Sequence, residues 1–261
     1  MIRLTDQLER EVTLVKVPQR IVSLCPSITE TLYHFGLEDE VVGRTRFCIH
    51  PKEKVKQALR VGGTKDVKLD RLFSLNPDLV IAEKEENIKE QIEAIAAQCS
   101  VYVADVKGLD SALDMIRGVG VACGKAKEGN QLAKEISATF IRFEPNTNRP
   151  RIAYFIWKDP WMLAGKETYI QDLLQRLGYE NVGLELEGRY PTVTEDQLRT
   201  LEPELVLLSS EPFPFAQKHM SILEGLLPKA RVQLVDGEYF SWYGSRMLEA
   251  ATYLQNMDRD F

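Results

Sequence analysis

The chain has 261 residues, of which 44% are hydrophobic and 28% charged, with a formal charge of −6. This composition describes an ordinary soluble globular protein with room for one large domain or two of usual size. The acidic balance argues against a nucleic-acid binder, and no apolar run reaches the length of a membrane span. Residues 1–10 lack both the basic start and the apolar stretch of a secretory signal, so the expected location is cytoplasmic, or periplasmic if a leader has been removed.

In chain order, residues 13–17 read as an edge strand ended by Pro18, and residues 20–24 as a buried strand. Ser27 followed three residues later by Glu30 has the spacing of a capping box, opening a helix that runs to about Phe35. Residues 41–44 form the next strand, with residues 45–51 as its exit loop. Residues 80–82 and 101–103 complete a parallel sheet, joined by a helix over 88–98. The acidic stretch Glu83-Lys84-Glu85-Glu86 reads as a solvated helix start. Residues 111–143 hold two helices, the second long and starting near Lys125. Residues 145–150 form the clearest linker. Residues 151–157, then segments near Val206 and Val232, are strands, and a helix over about 245–255 closes the chain.

A phrase occurs twice. Asp70-Arg71-Leu72 runs on to Leu75-Asn76-Pro77-Asp78-Leu79-Val80-Ile81, and Asp196-Gln197-Leu198 runs on to Leu201-Glu202-Pro203-Glu204-Leu205-Val206-Leu207. Each reads as a helix ended before a Pro and feeding a strand buried on both faces. Phe35-Gly36-Leu37 and Leu177-Gly178-Tyr179 echo one another as left-handed helix ends, and Val101-Tyr102-Val103-Ala104-Asp105 resembles Val232-Gln233-Leu234-Val235-Asp236. The duplication predicts two similar parallel-sheet α/β lobes, with a ligand cleft between them. The boundaries read as residues 1–124 for the first lobe, 125–148 for a bridging helix and linker, and 149–261 for the second lobe. Asp70 and Asp196 both read as N-terminal helix caps.

The strand-exit loops are rich in aromatics. Phe47 follows the second strand, Trp157 and Trp161 follow the first strand of the second lobe, and Tyr190 precedes Pro191. Tyr239, Phe240, Trp242 and Tyr243 crowd the last loop. Such rings suit a flat apolar ligand; the alternative is that they pack the core. Phe47 is expected on one lobe, facing Trp157, Tyr190 or Trp242 on the other. Cys48 and His50 share an exit loop near Cys25, an arrangement open to a soft metal, although small buried cysteines are equally common in α/β cores. His50 is alternatively an axial ligand to a metal carried by the guest. His34 lies inside a helix and reads as structural. Arg46, Arg189 and Arg246 lie near exit loops and suit carboxylate or phosphate, or simply solvent. Cys25, Cys48, Cys99 and Cys123 form no CxxC pair and are expected reduced.

Arg20-Ile21-Val22-Ser23-Leu24-Cys25-Pro26-Ser27-Ile28-Thr29-Glu30, Pro77-Asp78-Leu79-Val80, Gly165-Lys166-Glu167 and Gly244-Ser245-Arg246 together resemble the class III substrate-binding proteins. These are two-lobed receptors, bridged by one long helix, for cobalamin, ferric siderophores, haem and some free metals. The resemblance implies a monomeric, non-enzymatic binder of a metal-bearing chelate, with corrinoid or haem as first candidates. It also implies aromatic ligand contacts at Phe47 and Tyr190, whereas Thr64 stands where cobalamin receptors carry another aromatic. In transporter-coupled relatives, glutamates at the places of Asp70 and Asp196 meet an ABC permease. The aspartates here, read as caps, point away from that role. A free-metal receptor is one alternative. A chelatase using His50 with Glu167 or Glu238 is another, although no hydrolase, P-loop or dinucleotide motif is present.

Overall fold

The computed structural model describes residues 1–143 and 145–258, which divide into two compact units. The first comprises Met1–Val106, Asp110–Thr139 and Trp242–Leu248; the second comprises Lys107–Leu109, Phe140–Ser241 and Glu249–Phe261.

The first unit opens with an antiparallel hairpin of β1 (Ile2–Thr5) and β2 (Glu11–Leu14). The expected strand over 13–17 therefore lies earlier in the chain. Val12 and Leu14 point inward on a period of two, whereas Val15 is 81% exposed and ends the pattern. The buried Asp6 carboxylate holds the hairpin in place. It accepts from the N–H groups of Leu8, Arg10 and Val103 and pairs with the Arg10 guanidinium at 2.6 Å.

Then follow β3 (Ile21–Ser23), α1 (Pro26–His34), β4 (Val41–Arg44), β5 (Leu59–Arg60), α2 (Leu69–Ser74), β6 (Leu79–Glu83), α3 (Lys89–Ala96) and β7 (Ser100–Ala104). The five-stranded sheet β5-β4-β3-β6-β7 is parallel throughout. Val22, Leu24, Leu72, Val80 and Ala82 form its core and are fully buried. α4 (Leu109–Ala122) and α5 (Ala126–Phe140) follow, and the chain passes into the second unit at the end of α5.

The second unit contains β8 (Arg151–Trp157), β9 (Met162–Leu163), α6 (Tyr169–Arg176), β10 (Glu180–Asn181), α7 (Glu195–Leu201), β11 (Leu205–Ser209), α8 (Gln217–Leu226), β12 (Arg231–Val235), α9 (Glu238–Ser241) and α10 (Met247–Asp258). Its sheet runs β10-β8-β11-β12 in parallel, with β9 antiparallel beside β8. The order repeats β4-β3-β6-β7 of the first unit, and β6 and β11 carry the twin phrase. Gly36 and Gly178, at φ of +69° and +84°, follow α1 and α6 as expected from their echo. No helix among the described residues is long and apolar enough to cross a membrane.

Three expected local signals resolve differently. Ser27 and Glu30 form no capping box: the N-cap of α1 is Cys25, Pro26 opens the helix, and Glu30 is drawn to an arginine instead. Asp70 and Asp196 are not caps. Lys68 and Thr194 occupy the cap positions, and Thr194 exchanges bonds with Gln197. Each aspartate lies two residues past the cap, exposed, where its charge favours the helix dipole. Glu83 does not start a helix either, since it is the last residue of β6 and only 2% exposed.

Candidate functional site

In parallel α/β sheets the loops after the carboxyl ends of the strands carry the ligand, because helix N-termini and strand ends leave polar groups there. In the first unit these are the loops after β3, β4, β5 and β6, joined by Trp242–Leu248. That last segment contains two of the crowded aromatics. Trp242 had been expected on the second lobe, but it packs within the first unit, its indole edge-on to His50 at 5.3 Å. The Arg246 guanidinium lies 5.2 Å from the same indole and grips Glu30 through two bonds of 2.9 and 2.5 Å. Gly244 permits the approach: at φ +92°, a Cβ there would stand 2.1 Å from Thr31 Oγ1. Thr31 Oγ1 in turn accepts from Ser245 N–H at 3.0 Å. Gly244→Ala is therefore expected to cost about 2 kcal/mol or more, through strained backbone and overlap together. Chemical denaturation checks this, and an unchanged midpoint would contradict it.

The thiols are inward. Cys48 is fully buried; its sulfur accepts from Thr29 Oγ1 at 3.0 Å and lies 3.2 Å from Thr45 Oγ1. Cys25 is 3.3 Å from Ser27 Oγ and 3.5 Å from Tyr243 Oη. Burial raises the pKa of both thiols, which disfavours the thiolate a metal requires. Cys48 thus packs the exit loop instead of presenting its thiol. Among the described residues, no group of three or more His, Cys, Asp or Glu side chains is placed to hold a metal ion. His50, partly exposed, is the member of the expected Cys–His pair that reaches the surface.

Glu83 and Glu86 are two enclosed carboxylates at the end of β6. The Glu83 carboxylate accepts from the N–H groups of Glu85 and Glu86 at 2.7 and 2.9 Å. Burial nonetheless pushes its pKa up to about 7, with the neighbouring Glu85 and Glu86 charges adding to the rise. Glu86 is also raised by burial, against Lys65 and a hydrogen bond from Thr64. Thr64, 7% exposed, is thus a buried polar partner. Its carbonyl also accepts from Asn87 Nδ2.

In the second unit, Trp157 ends β8 at 40% exposure with its ring edge-on to Phe213 at 5.5 Å, and Tyr190 is 36% exposed. Trp161 is more enclosed, parallel to Phe215 at 6.2 Å and edge-on to Phe155. Phe240 is fully buried against Tyr154, and Tyr239 stacks on Tyr253 at 4.6 Å. Both therefore serve the packing of this unit. The crowded run splits because Phe240 belongs to one unit, and Trp242 and Tyr243 to the other. Arg189 is held near β9, its carbonyl accepting from Gly165 N–H.

The exposed rings at strand exits are thus Phe47 (46%), Trp157 and Tyr190, with Arg46 lying over the Phe47 face at 4.7 Å. Phe213 and His219, 5.3 Å apart, were missed in the sequence. The alternation Glu211-Pro212-Phe213-Pro214-Phe215 just after an apolar run is the signal that marks them.

A model of the periplasmic binding protein family matches residues 21–227. The uncharacterized ABC transporter substrate-binding lipoprotein YvrC of Bacillus subtilis (strain 168) is 28% identical over 218 residues, spanning 79% of this chain and 68% of its own. The vitamin B12-binding protein of Pectobacterium carotovorum subsp. carotovorum (strain PC1) is 23% identical and spans 90% and 86%. Among solved structures, the periplasmic heme-binding protein RhuT from Roseiflexus sp. RS-1 in apo form superposes with a TM-score of 0.78 at 23% identity. The match covers 93% of this chain and 98% of RhuT. With four-fifths of its length inside the family model, this chain belongs to the periplasmic binding protein family.

Proposed function

We propose that this protein is a non-enzymatic receptor for a metal-bearing chelate, of the corrinoid, haem or ferric-siderophore kind. The observation that carries this reading is the set of exposed rings at parallel-strand exits: Phe47 on the first unit, Trp157 and Tyr190 on the second. Exposed aromatics of this size in a water-soluble fold suit a flat, largely apolar guest. The vitamin B12- and heme-binding relatives support the same ligand class. Membership in a family of binding proteins leaves the chelatase alternative without support. Tryptophan fluorescence titrated with haemin, cyanocobalamin and a ferric siderophore tests the reading. Phe47→Ala and Trp157→Ala should each weaken the bound chelate about fivefold, corresponding to about 1 kcal/mol per stacking ring. Affinity unchanged in both variants would overturn the assignment.

The B. subtilis relative's name supports a permease partner and a location outside the cytoplasmic membrane, in place of the cytoplasmic one first expected. Of the twin aspartates, Asp196 is the better permease contact. Its side chain is 95% exposed and pairs with Arg199 at 2.7 Å, whereas Asp70 lines a groove with Arg46, Arg60 and Arg71. Asp196→Arg should abolish uptake of the chelate while the protein stays folded, at a stability cost of about 1 kcal/mol from the lost dipole interaction and ion pair. Full uptake by that variant would exclude Asp196 as the contact.

A further inference from the structure

Beside β5, a groove of about 540 Å³ is lined by Arg46, Arg60, Lys68 and Arg71, with Asp66, Asp70 and Gly62 completing its walls. Four cations face two carboxylates in a chain whose overall charge is −6. The pairing is incomplete as well. Lys68 is bound to Asp66 at 2.8 Å, but Arg46, Arg60 and Arg71 make no ion pair among the described residues. An arginine without a carboxylate keeps its planar fork of donors available for an anion.

Two further features concentrate positive charge here. Arg44 lies opposite Arg60 in the parallel register of β4 and β5 and is 2% exposed. Among the described residues its guanidinium bonds to the carbonyls of Val55, Thr45 and Cys48, at 2.6 to 3.1 Å. Those dipoles hold the group in place without cancelling its charge, so a buried cation stands beside Arg60 in the sheet. Its pKa is lowered first by burial and next by repulsion from Arg60, so the two cations lie within electrostatic reach of one another. Arg46 is fixed from two sides. Its guanidinium lies over Phe47, and a Cβ at Gly63 would come within 3.1 Å of its Cζ. A prefixed guanidinium loses less freedom on meeting a ligand.

We propose that this groove is a phosphate-binding subsite on the first unit, with Arg46, Arg60 and Arg71 as its ligating side chains. Tetrahedral phosphate oxygens match the guanidinium fork through paired N–H donors, and the net positive lining attracts a dianion over about 10 Å at moderate salt. Asp70 is the groove's opposing charge and limits its affinity. The phosphate comes either from a soluble ester or from a lipid headgroup, and the site does not depend on the chelate reading above.

Two arms test it on the full chain. In one, inorganic phosphate and pyrophosphate are titrated at low ionic strength and followed by calorimetry. In the other, sedimentation with phosphatidylglycerol vesicles is compared with phosphatidylcholine vesicles. Saturable binding is expected in at least one arm, and the responding arm identifies the source. Arg60→Gln combined with Arg71→Gln should weaken it at least tenfold with an unchanged melting temperature, and Asp70→Asn should strengthen it about threefold. Silence in both arms, binding that survives the double arginine variant, or weaker binding by Asp70→Asn would overturn the proposal.

Discussion

Arg246→Ala should destabilise the first unit by about 3 kcal/mol, the largest single-site loss expected outside the hydrophobic core. The guanidinium is 8% exposed and its partner Glu30 20%, so little solvent screens the pair. Removing the cation strands a carboxylate on α1 and frees the face of Trp242 that the guanidinium covers. Breaking one half of such a pair costs more than the pair contributes, because the remaining charge is left without its counterpart. Glu30→Gln combined with Arg246→Met, which removes both charges at similar volume, should recover most of the loss. Urea denaturation of the single and double variants forms a closed cycle. Losses that simply add would contradict the coupling.

Stability should also fall by about 3 kcal/mol as pH rises from 4.5 to 7, with Glu83 as the main cause. Its pKa is raised from an ordinary 4.5 to about 7 by burial. The folded protein then binds a proton that the unfolded chain has released across that window. The stabilisation is complete below about pH 4.5 and is lost as pH climbs through 7, at about 1.4 kcal/mol per unit of difference. Glu86, raised in the same direction, adds to the slope. Glu83→Gln should flatten the profile and be more stable than the parent at pH 8. Urea midpoints at pH 5 and pH 8 decide this. A parent that gains stability toward pH 8 as steeply as Glu83→Gln would contradict it.

The repeat made the architecture legible. Strands buried on both faces must read as unbroken apolar runs, and β6 and β11 do so in both copies of the phrase. Helix starts were less legible, because they depend on partners distant in sequence. Ser27 and Glu30 have capping-box spacing, but Arg246 lies 216 residues away and takes the carboxylate. Thr194 precedes Asp196 by two residues and holds the cap that the aspartate was expected to supply.

The candidate site was legible in part for a similar reason. Aromatic residues at strand exits were visible in the sequence, but their division between packing and exposure was not. Phe240 and Trp242 are two residues apart, yet one completes the core around Tyr154 and the other covers His50. Glu83 gave no sign of burial, since its three flanking charged residues disguise the end of a buried strand.

The central claim, that the exposed rings receive a metal-bearing chelate, is tested most directly by the visible spectrum of the protein mixed with haemin or cyanocobalamin and passed through a desalting column. One chromophore should be retained at a defined stoichiometry, with a band shifted from that of the free chelate, and lost when Phe47 and Trp157 are both replaced by alanine. Elution of colourless protein after haemin, cyanocobalamin and a ferric siderophore alike would contradict it.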